Sequence, residues 1–469
     1  MAENTTYDLV VIGAGPGGYV AAARAGQLGM KTACVDKNER LGGVCLNVGC
    51  IPSKALLDSS EHVETARKEF ETHGIRVENL DIDLAVMMER KNSVVQGLTD
   101  NVRKLLDANK VTVITGSAML SGNSRVAVDD GKEKRVIEAK NILLAAGSRP
   151  VEHPGMAFDG RMLVSSTEAL SFEKIPRRMV VVGGGSIGLE LGSVWSRLGT
   201  EVTVVEMLHH IAGRMDGQLS RQLLRILKKQ GIAFRMDTRV TGIEKKSRTA
   251  RVSIEDKQGN AETLTCDKVL VAVGRRPITD GLGLEAAGVR LDDAGFVAVD
   301  GQFRTSAPNV YAIGDMIGGW MLAHEASAEG RAAVEIMAGK YARVNYDAMP
   351  NVVYTSPEAA AVGMTEEALR EKKVPYCKGT YPLTGAGRAR CMGRTDGLVK
   401  VLSHQETDRV LGVHIIAPRA ADMIAEAVLA MEFGASSEDI GAIVHGHPTF
   451  AEALQEAALV AQECSIYGG

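Results

Sequence analysis

Two stretches of this chain repeat one plan 170 residues apart. In the first, an apolar run Leu9-Val10-Val11-Ile12 enters Gly13-Ala14-Gly15-Pro16-Gly17-Gly18 and an Ala-rich segment. A second apolar run, Thr32 to Val35, then ends in Asp36. In the later copy Val180 to Val182 enter Gly183-Gly184-Gly185-Ser186-Ile187-Gly188, and Val202 to Val205 lead to Glu206. Gly13 falls on Gly183, Gly15 on Gly185, Gly18 on Gly188 and Asp36 on Glu206. Short apolar runs bounded by Gly-rich turns and followed by helical composition read as buried strand, turn, helix and strand.

The residue types fit one purpose. A first Gly allows the tight turn, a second lets backbone approach a pyrophosphate, and a third lets helix pack on strand. The acid reaches a ribose hydroxyl, and the pyrophosphate rests on the N–H groups that open the helix. One such fingerprint is weak evidence; two in register, each with its acid, predict an α/β chain with two Rossmann-like dinucleotide-binding domains. The cofactor-binding candidates are Gly13, Gly15, Gly18 and Asp36 in one site and Gly183, Gly185, Gly188 and Glu206 in the other.

Cys45-Leu46-Asn47-Val48-Gly49-Cys50 runs straight into Ile51-Pro52-Ser53-Lys54. On an ideal helix two residues so spaced have Cα atoms roughly 8.6 Å apart, beyond the ~7 Å that a disulfide tolerates. A disulfide therefore requires the backbone to leave helix geometry between the two thiols. Gly49 and Pro52 stand where a break and a new first turn could form. A thiol at a helix N-terminus has its thiolate favoured. A structural disulfide and a zinc half-site are the alternatives. Zinc usually takes about two to four residues between Cys ligands and a second pair elsewhere. Redox use is the stronger reading. Two dinucleotides and one redox pair imply a relay, with FAD in the first site, about 30 residues before the cysteines, and a nicotinamide nucleotide in the second.

Bulk properties set the context. A chain of 469 residues has room for about three domains. Its net charge of −4, with signs interspersed, gives no polyanion-binding surface. Residues 1–7 lack a basic or apolar leader, so no signal or transit peptide is expected. No apolar run approaches the ~18 residues of a membrane span. Seven cysteines, an odd number in a core-rich chain, suggest a reducing cytoplasm, with Cys34 and Cys266 as small core residues.

The chain resembles the disulfide-reductase family of flavoproteins, in its lipoamide branch, over almost its whole length. The resemblance rests on Gly42 to Lys54, Gly188 to Trp195, Val273-Gly-Arg-Arg-Pro277, Asn309 to Asp315, Met321-Leu-Ala-His324 and His445-Gly-His447-Pro-Thr449. It implies an FAD-binding segment 1–148, an NAD-binding segment 149–275, a central segment 276–345 and an α+β dimerisation domain 346–469. It also implies that Asp315 contacts the flavin's ribityl or phosphate region, that Gly147, Ala323 and Gly274 line cofactor sites, and that Lys54 and Glu190, placed at the opening of the second fingerprint's helix, pair beside the flavin ring. The Ala-rich stretch 420–435 fits an interface helix or an ordinary buried one.

His447 lies five residues before Glu452, a spacing that could join imidazole to carboxylate. A lone loop His is usually structural or solvated. The resemblance makes His447 the acid–base residue acting on the other subunit's disulfide and Glu452 its partner, with His445 given no catalytic role. Cys45 and Cys50 become the redox pair, and the implied reaction is dihydrolipoamide + NAD⁺ → lipoamide + NADH. The implied partners are a second copy of the chain and the lipoyl domains of 2-oxo acid dehydrogenase complexes or the lipoyl carrier protein of glycine cleavage. Asp36 replaces the branch's usual Glu, and Val44 and Ala146 stand where Thr is usual, which touches flavin hydrogen bonding rather than reaction class. Reduction of glutathione disulfide or Hg²⁺ is disfavoured: Met207 and Leu208 follow Glu206, although His209, His210 and Arg214 come soon after, and the C-terminal region carries Cys464 without a neighbouring Cys. A silent scaffold is disfavoured because Cys45, Cys50 and His447 are all present.

Overall fold

The first repeat folds as its pattern requires. In the computed structural model, which describes residues 6–467 except 123 and 154, Thr6–Ile12 is a strand, Pro16–Gln27 a helix and Thr32–Asp36 the next strand. The leader reading on residues 1–5 and the last two residues, 468 and 469, lie outside the described residues. Leu9, Val10 and Val11 are wholly buried, as a central parallel strand covered on both faces demands. Thr6–Ile12 pairs in parallel with Thr32–Asp36 on one side and Lys134–Leu144 on the other. Thr112–Thr115 and Val310–Ala312 continue the sheet outward. Strand order therefore reverses at Thr6–Ile12, whose carboxyl end delivers Gly13 to the crevice where such sheets bind ligands. Helix Pro16–Gln27 packs on Ala323–Met337 through small residues. A Cβ on Gly330 would stand 2.5 Å from the Gly17 carbonyl, so glycine permits the approach.

The second repeat gives a five-stranded sheet in which Arg178–Val182 lies between Glu201–Val205 and Lys268–Val271. Even the register repeats: Val10 pairs with Ala33, and Val180 with Thr203. Helix Ser186–Leu198 is buried along most of its length, and the wholly buried Trp195 donates its indole N–H to the Ala169 carbonyl.

After Asn345 the topology becomes antiparallel, in the strand order Asn351–Val353, Glu358–Gly363, Val410–Ala417, Leu398–His404, Tyr376–Pro382. Helices Ala420–Glu432 and Glu452–Ala461 pack on this sheet. Gly379 lets the second of them lie against its strand, since a Cβ there would sit 1.8 Å from the Ala457 carbonyl. The fold is thus α/β with two Rossmann-like sheets and an α+β C-terminal part.

The chain groups into two compact units. One holds the chain up to Leu56, Ala85–Val151 and Gly274–Val344; the other holds Leu57–Leu84, Glu152–Val273 and the chain from Asn345 on. Cys34 and Cys266 are core residues, and burial foremost pushes their thiols up to about 12 and about 11. Among the described residues no helix is long and apolar enough to cross a membrane.

Candidate active site

Both glycine turns separate what the chain needs from what a ligand needs. Gly13 and Gly183 have φ near +105°, and a Cβ on either would lie within 2.5 Å of a carbonyl oxygen, Ala145 or Ala272. A Cβ on Gly18 or Gly188 would strike the Gly13 or Gly183 carbonyl. These four glycines are required by turn and packing. The middle ones are not. Gly15 and Gly185 have φ of −70° and −77°, open to any residue, and a Cβ on Gly185 would meet nothing within 4 Å. Each is the N-cap of its helix without a side-chain cap, so helix-opening N–H groups face a space that a Cβ would fill. That cradle fits a pyrophosphate.

The two acids are tied to their turns identically. Asp36 Oδ2 accepts from the Ala14 N–H at 2.7 Å and Oδ1 from the Asn38 N–H at 2.8 Å. Glu206 Oε2 accepts from the Gly184 N–H at 2.6 Å and Oε1 from the Leu208 N–H at 2.8 Å. A carboxylate offers about four lone pairs, so both retain acceptor capacity for a ribose. The Asp at position 36 makes the same pair of bonds as the Glu at 206.

The cysteines sit on a broken helix. Gly43–Val48 is helical, Gly49 departs to φ −141°, ψ −114°, and Cys50 opens the 19-residue helix Cys50–Lys68. The expected departure from helix geometry falls at Gly49. Both residues are thiols here. A hydrogen bond to Cys50, then burial, then the charge of Cys50 push the Cys45 thiol well above its usual range, against the opposing field of Lys54. Cys50 opens its helix, where the macrodipole favours a thiolate. Burial and then Cys45's charge raise Tyr19, while burial lowers Arg275 against the opposing fields of Asp315 and Cys50.

Asp315 lies in the short turn Gly314–Met316 beyond strand Val310–Ala312. The Ser148 hydroxyl donates to its carboxylate, and Arg275 Nε donates to Ser148 Oγ at 2.7 Å. Ser148 and Arg275 follow Gly147 and Gly274, and strands Ser148–Pro150 and Arg275–Pro277 pair antiparallel. Sequence reading missed both. Their one signal, a serine and an arginine each after a glycine, is common everywhere. Glu329, also missed, is buried and accepts from the Gly314 N–H at 2.6 Å. Ala323 is the first residue of helix Ala323–Met337, and Glu325 collects the Trp320 and Leu322 N–H groups beside it. Where Thr was expected, Val44 is 41% exposed and the Ala146 N–H contacts the Met316 sulfur.

Lys54 belongs to the first unit and Glu190 to the second. Glu190 does not open its helix as expected. It sits in the second turn of Ser186–Leu198, buried, and accepts from the Tyr354 N–H at 3.0 Å.

His447 and Glu452 are brought together. Nδ1 lies 2.8 Å from Glu452 Oε1, and Oε2 accepts from the Thr449 N–H at 2.6 Å. Burial opposes ionisation of Glu452, but the Thr449 N–H and the imidazole outweigh it and hold the carboxyl below its usual range. With 77% of its side chain exposed, His447 turns Nε2 outward. His445 differs: Nδ1 faces the Ile443 carbonyl and Nε2 faces Glu426, with only 5% of the side chain exposed.

Residues 7–330 match the model of the pyridine nucleotide-disulphide oxidoreductases, and residues 349–458 match that family's dimerisation domain. The chain is 49% identical over 460 residues to the mitochondrial dihydrolipoyl dehydrogenase of Canis lupus familiaris, covering 97% of this chain and 90% of that one. It is 49% identical over 461 residues, with the same coverage, to the mitochondrial dihydrolipoyl dehydrogenase of Homo sapiens. Among solved structures it is similar to LpdA from Mycobacterium tuberculosis, at 25% identity and a TM-score of 0.89. It is also similar to the Cu(II) complex of the HOCl-induced flavoprotein disulfide reductase RclA from Escherichia coli, at 27% identity and a TM-score of 0.86. Both comparisons cover 97% of this chain and 99% of the other.

Proposed function

The chain belongs to the pyridine nucleotide-disulphide oxidoreductase family, and from that premise we propose that it oxidises protein-bound dihydrolipoamide to lipoamide and reduces NAD⁺. The identity to dihydrolipoyl dehydrogenases supports the substrate. The observation that carries the chemistry is the thiol pair split by Gly49, with Cys50 at a helix N-terminus, where a thiolate is favoured.

FAD would lie along Gly13, Gly15, Gly18 and Asp36, with Gly147, Asp315 and Ala323, and NAD⁺ along Gly183, Gly185, Gly188, Glu206 and Gly274. Lys54 and Glu190 would pair beside the flavin. Segments 1–148 with 276–345, 149–275 and 346–469 are read as the FAD, NAD and dimerisation parts.

The catalytic cycle starts with Cys45 and Cys50 as a disulfide. His447 Nε2 takes a proton from one substrate thiol, and Glu452 stabilises the imidazolium. The resulting thiolate attacks Cys45. The Cys45–Cys50 bond breaks, a mixed disulfide forms, and Cys50 leaves as thiolate. The second substrate thiol attacks the lipoyl sulfur bound to Cys45 and closes the lipoamide ring, and its proton goes to the departing Cys45 sulfur, which leaves as a thiol. The substrate has lost two electrons and the cysteine pair has gained them. Held along those glycines and acids, FAD would supply the route by which that electron pair reaches NAD⁺.

The dimerisation-domain match supports a homodimer in which His447 of one subunit serves the cysteine pair of the other. Lipoyl groups would come from 2-oxo acid dehydrogenase complexes or the glycine cleavage carrier. The mostly free thiols support a cytoplasmic setting, whereas the curated relatives are named mitochondrial. Steady-state assays with dihydrolipoamide and both oxidised nucleotides, and with glutathione disulfide and Hg²⁺ under both reduced ones, test the reading. Dihydrolipoamide with NAD⁺ should be the fastest pairing; faster reduction of glutathione disulfide or Hg²⁺ would sink it.

A further inference from the structure

Lys400, in strand Leu398–His404, has no solvent exposure. A buried ammonium is tolerated only when paired, and this one has two carboxylates. Its Nζ lies 3.0 and 2.9 Å from the two Asp216 oxygens and 2.5 Å from Glu366 Oε2. The other Glu366 oxygen takes Tyr376 Oη, Lys378 and Arg370. Against burial, the Lys400 bond, then the Tyr376 hydroxyl, then the charges of Lys400 and Lys378 hold its carboxyl down to about 2. Asp216 also caps helix Gly217–Lys229 by accepting from the Gln218 N–H, and it accepts from the Glu366 N–H.

Asp216 closes the loop that Glu206 opens. Within that loop the Ala212 N–H donates to the Gly184 carbonyl at 2.8 Å, and the Ile211 carbonyl accepts from Ser220 Oγ on the capped helix. The Gly184 N–H is bonded to Glu206. The middle of the second glycine turn is therefore held by the ribose acid on one side and by the loop on the other. Met207 and Leu208, at the loop's start, are exposed.

We infer that Lys400 is a positioning residue for the second dinucleotide site. By clamping Asp216 from the C-terminal sheet, it holds loop 207–216 against the glycine turn and sets the affinity for the nicotinamide nucleotide, leaving thiol chemistry alone. The inference rests on the assignment of that site to NAD⁺.

The test compares holoenzyme of wild type, Lys400→Met and Glu366→Gln, measuring FAD content, kcat, and KM for NAD⁺ and for dihydrolipoamide separately. Lys400→Met should raise KM for NAD⁺ roughly tenfold, within the range by which residues remote from a ligand alter its binding, with dihydrolipoamide KM and FAD content unchanged. Glu366→Gln should give a smaller rise and decides the matter if Lys400→Met does not fold. An unchanged NAD⁺ KM, an equal rise in both KM values, or a fall in kcat alone would overturn the inference. Failure of the wild type to reduce NAD⁺ with dihydrolipoamide would instead overturn the functional reading beneath it.

Discussion

Glu452 Oε1 stands 2.8 Å from His447 Nδ1, while Oε2 of the same carboxylate is held by the Thr449 N–H. The carboxylate cannot swing away without losing a backbone bond, so it fixes which imidazole nitrogen faces outward.

Replacing His447 with Gln should therefore lower turnover with dihydrolipoamide on the order of 10²–10⁴-fold. NADH oxidation by artificial acceptors, which needs no thiol deprotonation, should fall far less. Glu452→Gln should show a milder form of the same defect, and His445→Gln, whose ring is committed to Ile443 and Glu426, should keep most activity. Equal slowing of both reactions by His447→Gln, at unchanged FAD content, would remove the acid–base role.

Purified protein should be yellow with one FAD per chain and gain long-wavelength absorbance on mild dithiol reduction, because Cys50 opens a helix and its thiolate is favoured there. Cys50→Ser should abolish that band and keep FAD. Loss of the band in Cys45→Ser but not in Cys50→Ser would reverse the two thiols' roles.

NAD⁺ should be preferred over NADP⁺ in kcat/KM, since the Glu206 carboxylate can accept from a 2′-hydroxyl but repels a 2′-phosphate. Its anchorage to Gly184 and Leu208 prevents it from moving aside. Comparable values for the two nucleotides would show that His209, His210 or Arg214 compensates.

The glycines offer a sharper contrast. Gly185→Ala meets no atom of the chain, so stability should change by less than about 1 kcal/mol while KM for NAD⁺ rises. In Gly188→Ala the new Cβ would lie 2.1 Å from the Gly183 carbonyl, so little folded protein should accumulate. Equal behaviour of the two variants in melting and nucleotide assays would refute the division between chain-required and ligand-required glycines.

Glu358 gives a pH dependence. Burial chiefly, with the charges of Asp422, Glu61 and Asp58, pushes its carboxyl from 4.5 to about 7, although Oε2 accepts from the Ala421 N–H. Between those values the folded chain binds a proton that the unfolded chain has lost. The group is therefore harmless below about 4.5, increasingly destabilising up to about 7, and constant beyond. At ~1.4 kcal/mol per pH unit, Glu358→Gln should gain on the order of 1–3 kcal/mol at pH 8 and almost nothing at pH 5. Melting curves at the two pH values check it; equal gains at both would refute the buried-acid account.

Much of the site was legible because its logic is local. The tight turns at Gly13 and Gly183, the helix starts behind Gly15 and Gly185, and the break at Gly49 depend on backbone sterics within a few residues. The joining of His447 to Glu452 is likewise a matter of one turn and one helix start. Glu190 was placed a turn too early because helix starts are set by caps, and Gly185 offers no side chain to mark one.

The sequence by itself determined that two dinucleotide turns, a separable thiol pair and an imidazole with a nearby carboxylate would be present. Tertiary structure alone decided which polar side chains complete the picture. Ser148 meets Asp315 across 167 residues, and Lys400 meets Asp216 across 184. A buried charge must find a partner, but which one it finds depends on strand order and crossover, and no local pattern encodes that.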